Sequence, residues 1–232
     1  QNLYSLSNLY INLAKYLNQD FYSYNTLLAE NFLMIENYKK GNKIYLVLKK
    51  FGEIYSWHSS KQLALIEVQR LETEKAIKLM EKSYLNLNTP NLYQTYDFAQ
   101  FLKNNKEFEK SIKYYSILID KISQSHELYA KATDGRGIAF ERIGDWKKAE
   151  RDFLNSLKAK PNQAYVLNYL AYSWLERDYK INEAMEMLEK AYSRENNDPY
   201  IIDSIGWAYY LINDYVKAEQ FLKRAVQLMP DD

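Results

Sequence analysis

The chain of 232 residues contains no cysteine, which excludes disulfides, thiol catalysis and thiolate metal sites. It also lacks any apolar run near the roughly 20 residues that a membrane-spanning helix needs, so we expect no direct membrane insertion by this segment. Neither sign of charge dominates, because 31 basic side chains face 30 acidic ones. Phosphate backbones are bound by clustered Lys and Arg, so this balance argues against a nucleic-acid partner.

Motifs for catalysis and metal binding are also scarce. The two histidines, His58 and His126, stand far apart without the ligand spacing of a metal site. The single glycine-rich stretch, residues 134–137, lies within a predicted helix and is interpreted as close packing rather than a phosphate loop. Carboxylates such as Glu141 and Asp152 stand among Lys and Arg and are interpreted as surface ion pairs. The sequence therefore favours a protein that is not an enzyme and that uses no cofactor or metal.

What the chain does contain is a recurring spacing of small residues. One small residue is followed twelve or thirteen positions later by a second and seven later by a third, and the pattern repeats about every 34 to 38 residues. Large apolar residues between them follow the period of a buried helical stripe. The three columns are Ala29, Ala64, Ala99, Gly137, Ala171 and Gly206; Ser7, Gly41, Ala76, Ser111, Ala149, Ala184 and Ala218; and Ala14, Leu48, Ser83, Leu118, Ser156, Ala191 and Ala225. Such a recurrence indicates a solenoid of stacked units.

Turn signals divide the pattern into units. Gly144-Asp145 is typical of a turn between helices, and Pro161 and Pro230 follow helices that proline cannot continue. Extra residues near 123–129 are expected to extend the second helix of the third unit. Residues 1–21 match the second helix of a truncated repeat, so we expect a segment cut from a longer polypeptide. The predicted repeats are 22–56, 57–91, 92–129, 130–163, 164–198 and 199–232.

The order of small, aromatic and proline positions resembles the tetratricopeptide repeat (TPR), a helix–turn–helix unit of 34 residues. The resemblance implies an all-α, right-handed superhelical solenoid of antiparallel helix pairs, with about six repeats plus a half repeat. Two segments, LNYLAYSWLERDYKINEAMEMLEKAY and IIDSIGWAYYLINDYVKAEQFLKRAV, further resemble bacterial cell-envelope TPR adaptors and lipoproteins. Some members of that branch deliver substrates to a C-terminal processing protease. This narrower resemblance favours the periplasm or cell envelope over the cytoplasm.

In this family the first helix of each repeat lines a concave groove, and here those positions in the last two repeats are rich in Tyr and Trp. Aromatic side chains with a polar tip dominate protein-binding hot spots, and the Asn168 amide can bond the backbone of an extended peptide. The predicted partner-binding groove consists of Tyr165, Asn168, Tyr169, Tyr172, Tyr200, Asp203, Trp207 and Tyr210. The alternative is compositional, because Tyr occurs 23 times and an AT-rich genome enriches Tyr. That bias does not enrich tryptophan, so it does not account for Trp207.

The function that the sequence favours is a protein-interaction scaffold or adaptor. It would bind an extended peptide or a partner protein in the groove, in a bacterial envelope, and present substrates to a protease. Two alternatives stay open: the recognition arm of a larger enzyme whose catalytic domain lies elsewhere, and a scaffold that self-associates. The two-carboxylate clamp of chaperone-binding family members is not expected. Lys131 matches one basic position of that clamp, but Gly135 stands where it needs an arginine.

Overall fold

The computed structural model describes residues 2–19 and 21–229, and within these ranges every regular element is a helix. The helices are α1 Asn2–Leu17, α2 Ser23–Met34, α3 Tyr38–Leu48, α4 Glu53–Gln69, α5 Thr73–Leu85, α6 Leu92–Asn104, α7 Phe108–Ile119, α8 Glu127–Arg142, α9 Trp146–Ala159, α10 Ala164–Leu175, α11 Ile181–Tyr192, α12 Pro199–Leu211 and α13 Tyr215–Leu228. The predicted all-α fold of helix pairs is confirmed.

The chain divides between Lys106 and Glu107 into two compact units. The N-terminal unit carries α1–α6 and the C-terminal unit carries α7–α13. The division falls within the predicted repeat 92–129, between its two helices. Within each unit, helices pack on their neighbours along the chain, and in the C-terminal unit α10 also contacts α12. Because the connections are short, neighbouring helices run antiparallel.

The columns of small residues are the places where these helices approach most closely. All six members of the first column are buried, as are those of the second column from Gly41 onward. A Cβ added to Gly137 would lie 2.9 Å from Cε1 of Phe153, so any larger residue would force the Phe153 ring or the helices to move. Leu48 and Leu118, the two large members of the third column, are fully buried. They fill the same kind of helix contact with a larger side chain.

The turn predicted at Gly144-Asp145 is confirmed and shows how the helix pairs are built. Gly144 adopts a φ of +84°, which favours glycine. The Asp145 carboxylate then accepts a hydrogen bond from the backbone N–H of Lys148 at 3.3 Å and caps α9. Pro161 lies in the connection between α9 and α10, as predicted. Pro230 lies outside the described residues.

The predicted extension of the helix before residue 129 is wrong. Helix α7 ends at Ile119, and α8 begins only at Glu127. The cause is a cap that starts a new helix, since the Nδ1 atom of His126 accepts a hydrogen bond from the backbone N–H of Leu128 at 3.1 Å. The extra residues therefore lengthen the connection and the start of α8.

The interpretation of Asp152 as part of a surface ion pair is also wrong. Asp152 is fully buried, and its two oxygens accept hydrogen bonds from Nε and Nη2 of Arg136 at 2.6 and 2.9 Å. The remaining Nη1 atom of Arg136 donates to Oγ of Ser116 at 3.0 Å. This charged network joins α7, α8 and α9 inside the C-terminal unit. Glu141, by contrast, is partly exposed, with Oε2 3.6 Å from Nε of Arg142.

The second residue after α4 offers a test of local backbone strain. Leu71 has a φ of +64° and is 91% exposed. Its N–H bonds the carbonyl of Val68, and the N–H of Glu72 bonds the carbonyl of Glu67, both at 2.9 Å. These bonds form a Schellman cap, whose left-handed position glycine adopts without steric cost. We expect Leu71→Gly to raise the free energy of unfolding by about 1 kcal/mol, as measured by urea denaturation. Leu71→Ala, which keeps the strain, is the control, and a destabilised glycine variant would contradict the prediction.

A candidate binding face on helices α10 and α12

The eight predicted groove residues lie on two adjacent helices of the C-terminal unit. Helix α10 carries Tyr165, Asn168, Tyr169 and Tyr172, and α12 carries Tyr200, Asp203, Trp207 and Tyr210. We call these eight residues the aromatic face. The two helices contact each other directly, which brings both sets of side chains into one region. Their opposite sides are anchored in the core by apolar residues such as Leu170 and Ile205.

Four tyrosines of the aromatic face reach solvent. The exposed fractions are 63% for Tyr165, 58% for Tyr200, 48% for Tyr210 and 39% for Tyr172. Core tyrosines of this protein behave differently, since Tyr115 is fully buried. Large rings with a polar tip at the surface supply contact area with few rotatable bonds to immobilise. The aromatic face therefore has the composition of a protein-contact surface.

Two polar atoms of the aromatic face have no hydrogen-bond partner among the described residues. They are Oδ1 of Asn168 and Nε1 of Trp207, and both are shielded from solvent. The indole of Trp207 stacks on Tyr210, with ring centroids 5.3 Å apart and planes at 15°. A buried donor or acceptor without a partner costs free energy, so such groups call for an explanation. Together they offer one acceptor and one donor, which is what a peptide main chain requires.

Tyr169 connects the aromatic face to the core. Its ring centroid lies 5.3 Å from that of Phe153, and its hydroxyl donates to Oε2 of Glu141 at 3.2 Å. Burial and the adjacent Glu141 carboxylate raise the pKa of Tyr169 to about 12. Tyr169 is therefore a neutral, fixed residue whose orientation is set by α8 and α9.

An open depression of about 510 Å³ lies beside the aromatic face, between α8 and α10. Tyr169 and Tyr172 line it together with the acidic side chains of Glu141 and Glu176. The predicted groove did not include Glu176, which directly follows α10. Its signal was present in the sequence, because Glu176 stands four residues after Tyr172 and so on the same side of a helix.

The two histidines make separate local contacts. His126 caps α8, whereas Nε2 of His58 lies 3.7 Å from Oε1 of Glu30 in the N-terminal unit. Burial lowers the pKa of His58, and the Glu30 carboxylate partly offsets this effect. Over the part of the chain that the structure describes, no three His, Cys, Asp or Glu side chains are grouped to hold a metal ion. In those same ranges no helix has the length and apolar character to span a membrane.

Comparisons with known proteins place this arrangement among tetratricopeptide proteins. No protein-family model matches the chain. A TPR repeat-containing protein of Pseudomonas aeruginosa is 31% identical over 137 residues, which cover 57% of this chain and 22% of the relative. The Lipoprotein NlpI homolog of Haemophilus influenzae is 27% identical over 124 residues, which cover 50% of this chain and 37% of the relative. The chain thus spans well under half the length of these relatives.

A solved structure supports the same fold. The C-terminal part of a TPR repeat-containing protein from Cytophaga hutchinsonii matches with a TM-score of 0.60 at 18% identity, covering 100% of this chain and 92% of that one. Such repeats are protein-interaction scaffolds built from helix pairs that stack on one another. The buried columns of small residues, the similar relatives and this common fold agree, and the chain has the fold of tetratricopeptide-repeat proteins.

Proposed function

We propose that this protein is a non-catalytic adaptor that binds an extended segment of a partner protein on the aromatic face. The observation that carries the proposal is that Oδ1 of Asn168 and Nε1 of Trp207, which lie among exposed aromatic rings, have no hydrogen-bond partner in the described part of the chain. A main-chain N–H of the ligand pairs with the Asn168 oxygen. A main-chain carbonyl of the ligand accepts from the Trp207 indole. Each bond relieves the cost of a buried group that lacks a partner.

On the Trp207 side, we expect a ligand to reach the indole by displacing the ring of Tyr210. Tyr210 is stacked on Trp207 and packs against Tyr215 but is 48% exposed, so we expect its ring to move outward when a ligand binds. Interface side chains commonly change rotamer on binding while the backbone moves little. The displaced ring then packs against the bound segment and shields the new hydrogen bonds from water.

We further propose that this protein is an adaptor of a bacterial cell envelope and presents substrates to a protease. It is supported by the resemblance of the last two predicted repeats to envelope members of the family and by the similarity to the Haemophilus influenzae lipoprotein. A photo-crosslinking residue at Tyr172 tests this in cells. Adducts with an envelope protease or with its substrates support the proposal, and adducts with cytoplasmic proteins alone contradict it.

Peptide selection measures the binding function itself. The full chain is used to enrich peptides from a displayed random library, and the affinities of the enriched peptides are then compared for the parent and for variants. We expect Trp207→Ala and Tyr172→Ala each to weaken binding by about thirtyfold, equivalent to roughly 2 kcal/mol for a hot-spot residue. Helical circular dichroism should be unchanged. Fluorescence anisotropy with labelled peptides gives the affinities.

The matched control is Tyr10→Ala. Tyr10 is 63% exposed, as is Tyr165, but it lies on α1 in the N-terminal unit. This variant should bind the enriched peptides like the parent. If Trp207→Ala and Tyr172→Ala also bind like the parent, the aromatic face is not the binding surface, and the tyrosine enrichment is compositional.

A further inference from the structure

The depression beside the aromatic face is lined by two glutamates, two arginines and two tyrosines. Glu141 and Glu176 line it together with the rings of Tyr169 and Tyr172. Tyr172 is 39% exposed, so part of its ring is available for contact. Carboxylates next to exposed aromatic rings are the groups that bind the cationic end of a lysine or arginine side chain.

The two arginines that also line the depression are already engaged. Nη1 of Arg177 donates to the Ser173 carbonyl at 2.8 Å, and the Arg177 guanidinium lies 4.2 Å from the ring centroid of Trp146. Nε of Arg142 lies 3.6 Å from Oε2 of Glu141. Among the described residues no Lys or Arg nitrogen comes within 4.0 Å of Glu176. The Glu176 carboxylate therefore has no cationic partner within that distance among the described residues, although it accepts a hydrogen bond from the Tyr172 hydroxyl.

Beside Tyr172 the Glu176 and Asp203 carboxylates contribute a local negative electrostatic potential. Burial raises the pKa of Tyr172, and the charge of Glu176, its hydrogen bond with the Tyr172 hydroxyl and the charge of Asp203 raise this pKa further. The same potential stabilises a positive charge brought to the same place. The net charge of the whole chain is only +1, so this preference is local rather than general.

We propose that the aromatic face selects segments that carry a lysine or arginine, and that this side chain is held between the Tyr172 ring and the Glu176 carboxylate. The inference rests on the proposed function, since it names the chemistry of the segment that the aromatic face binds. The cation contacts the face of the ring and donates hydrogen bonds to the carboxylate. Glu141, which is paired with Arg142, lies on the other side of the depression and is not required for this contact.

The test uses the peptides that the full chain enriches from the random library. Lysine and arginine should be enriched relative to the starting library. In a selected peptide, replacing the key lysine by methionine keeps a similar length and removes the charge. We expect this change to weaken binding about tenfold. The affinity of the lysine peptide should fall as salt is added, whereas that of the methionine peptide should change little.

A variant of the protein identifies the partner of the cation. Glu176→Gln should weaken binding of the lysine peptide by about the same factor as replacing the lysine by methionine does. Binding of the methionine peptide should be unaffected by this variant, so the two changes are not additive. Glu186→Gln on α11, an exposed glutamate outside the aromatic face, is the matched control and should affect neither peptide.

The outcomes separate this inference from the proposed function. In one outcome the selected peptides bind through Trp207 but show no preference for lysine or arginine, and in another they prefer acidic residues. Either result contradicts the cation site and is still consistent with the adaptor function. An equal loss of affinity for both peptides in Glu176→Gln also contradicts the cation site, because the carboxylate then acts on the fold or on the main chain of the peptide. A chain that enriches no peptide at all contradicts the proposed function itself.

Discussion

Replacing Asp152 by alanine should lower the free energy of unfolding by about 3–5 kcal/mol. The change leaves the Arg136 guanidinium, whose side chain is only 14% exposed, without its bidentate partner inside the C-terminal unit. An uncompensated buried charge costs far more than the intact pair gains, because the desolvation of the arginine is no longer offset. Urea denaturation of the full chain, followed by helical circular dichroism, measures the loss.

Two further variants show whether the charge or the packing is responsible. Arg136→Met combined with Asp152→Leu removes both charges and should recover much of the stability that Asp152→Ala loses. Glu219→Gln, which breaks an exposed pair with Lys223 on α13, should have no detectable effect. If Asp152→Ala were as stable as the parent, the buried network would not hold α7, α8 and α9 together.

Replacing Phe153 by alanine is the second large effect, and we expect a loss of about 3–5 kcal/mol. Phe153 is fully buried in the core of the C-terminal unit, where it packs against Gly137 and the ring of Tyr169. Truncation removes apolar burial and leaves a cavity that the surrounding helices fill only partly. Because Tyr169 loses its support, peptide binding should also weaken in this variant at temperatures where it stays folded.

The contact between Gly137 and Phe153 can be tested by a double-mutant cycle. Gly137→Ala alone forces its new Cβ towards the Phe153 ring and should destabilise by roughly 1–3 kcal/mol. In the Phe153→Leu background the smaller side chain makes room, so the same glycine change should cost clearly less. Equal costs in both backgrounds would mean that the two residues do not limit how closely α8 and α9 approach.

Much of the fold was predictable because its main signal is local and repeated. The period of the small residues sets the helix pairs, and a residue such as Gly137 or Ala171 marks a close contact whatever its partner is. The start of α8 was not predictable in this way. The side chain of His126 caps that helix, and a histidine cap is not among the strongest N-cap signals.

The candidate site was predictable in part. The repeat phase assigned all eight residues of the aromatic face to the first helices of two repeats, and the structure has them on α10 and α12. Their exposure and their hydrogen bonds were not predictable. Glu176 was missed because it stands beyond the last helical position of the predicted pattern, although it lines the depression next to Tyr172.

By itself the sequence determined the helix pairs, the columns of small residues and the helices that carry the aromatic residues, because these follow from spacing along one chain. Only the tertiary structure decided which polar groups lose water. It buried Asp152 against Arg136, sixteen residues away, and left Asn168 and Trp207 each with a polar atom that has no partner among the described residues. Burial depends on which helices stack on a residue, and the period of a single helix does not contain that information.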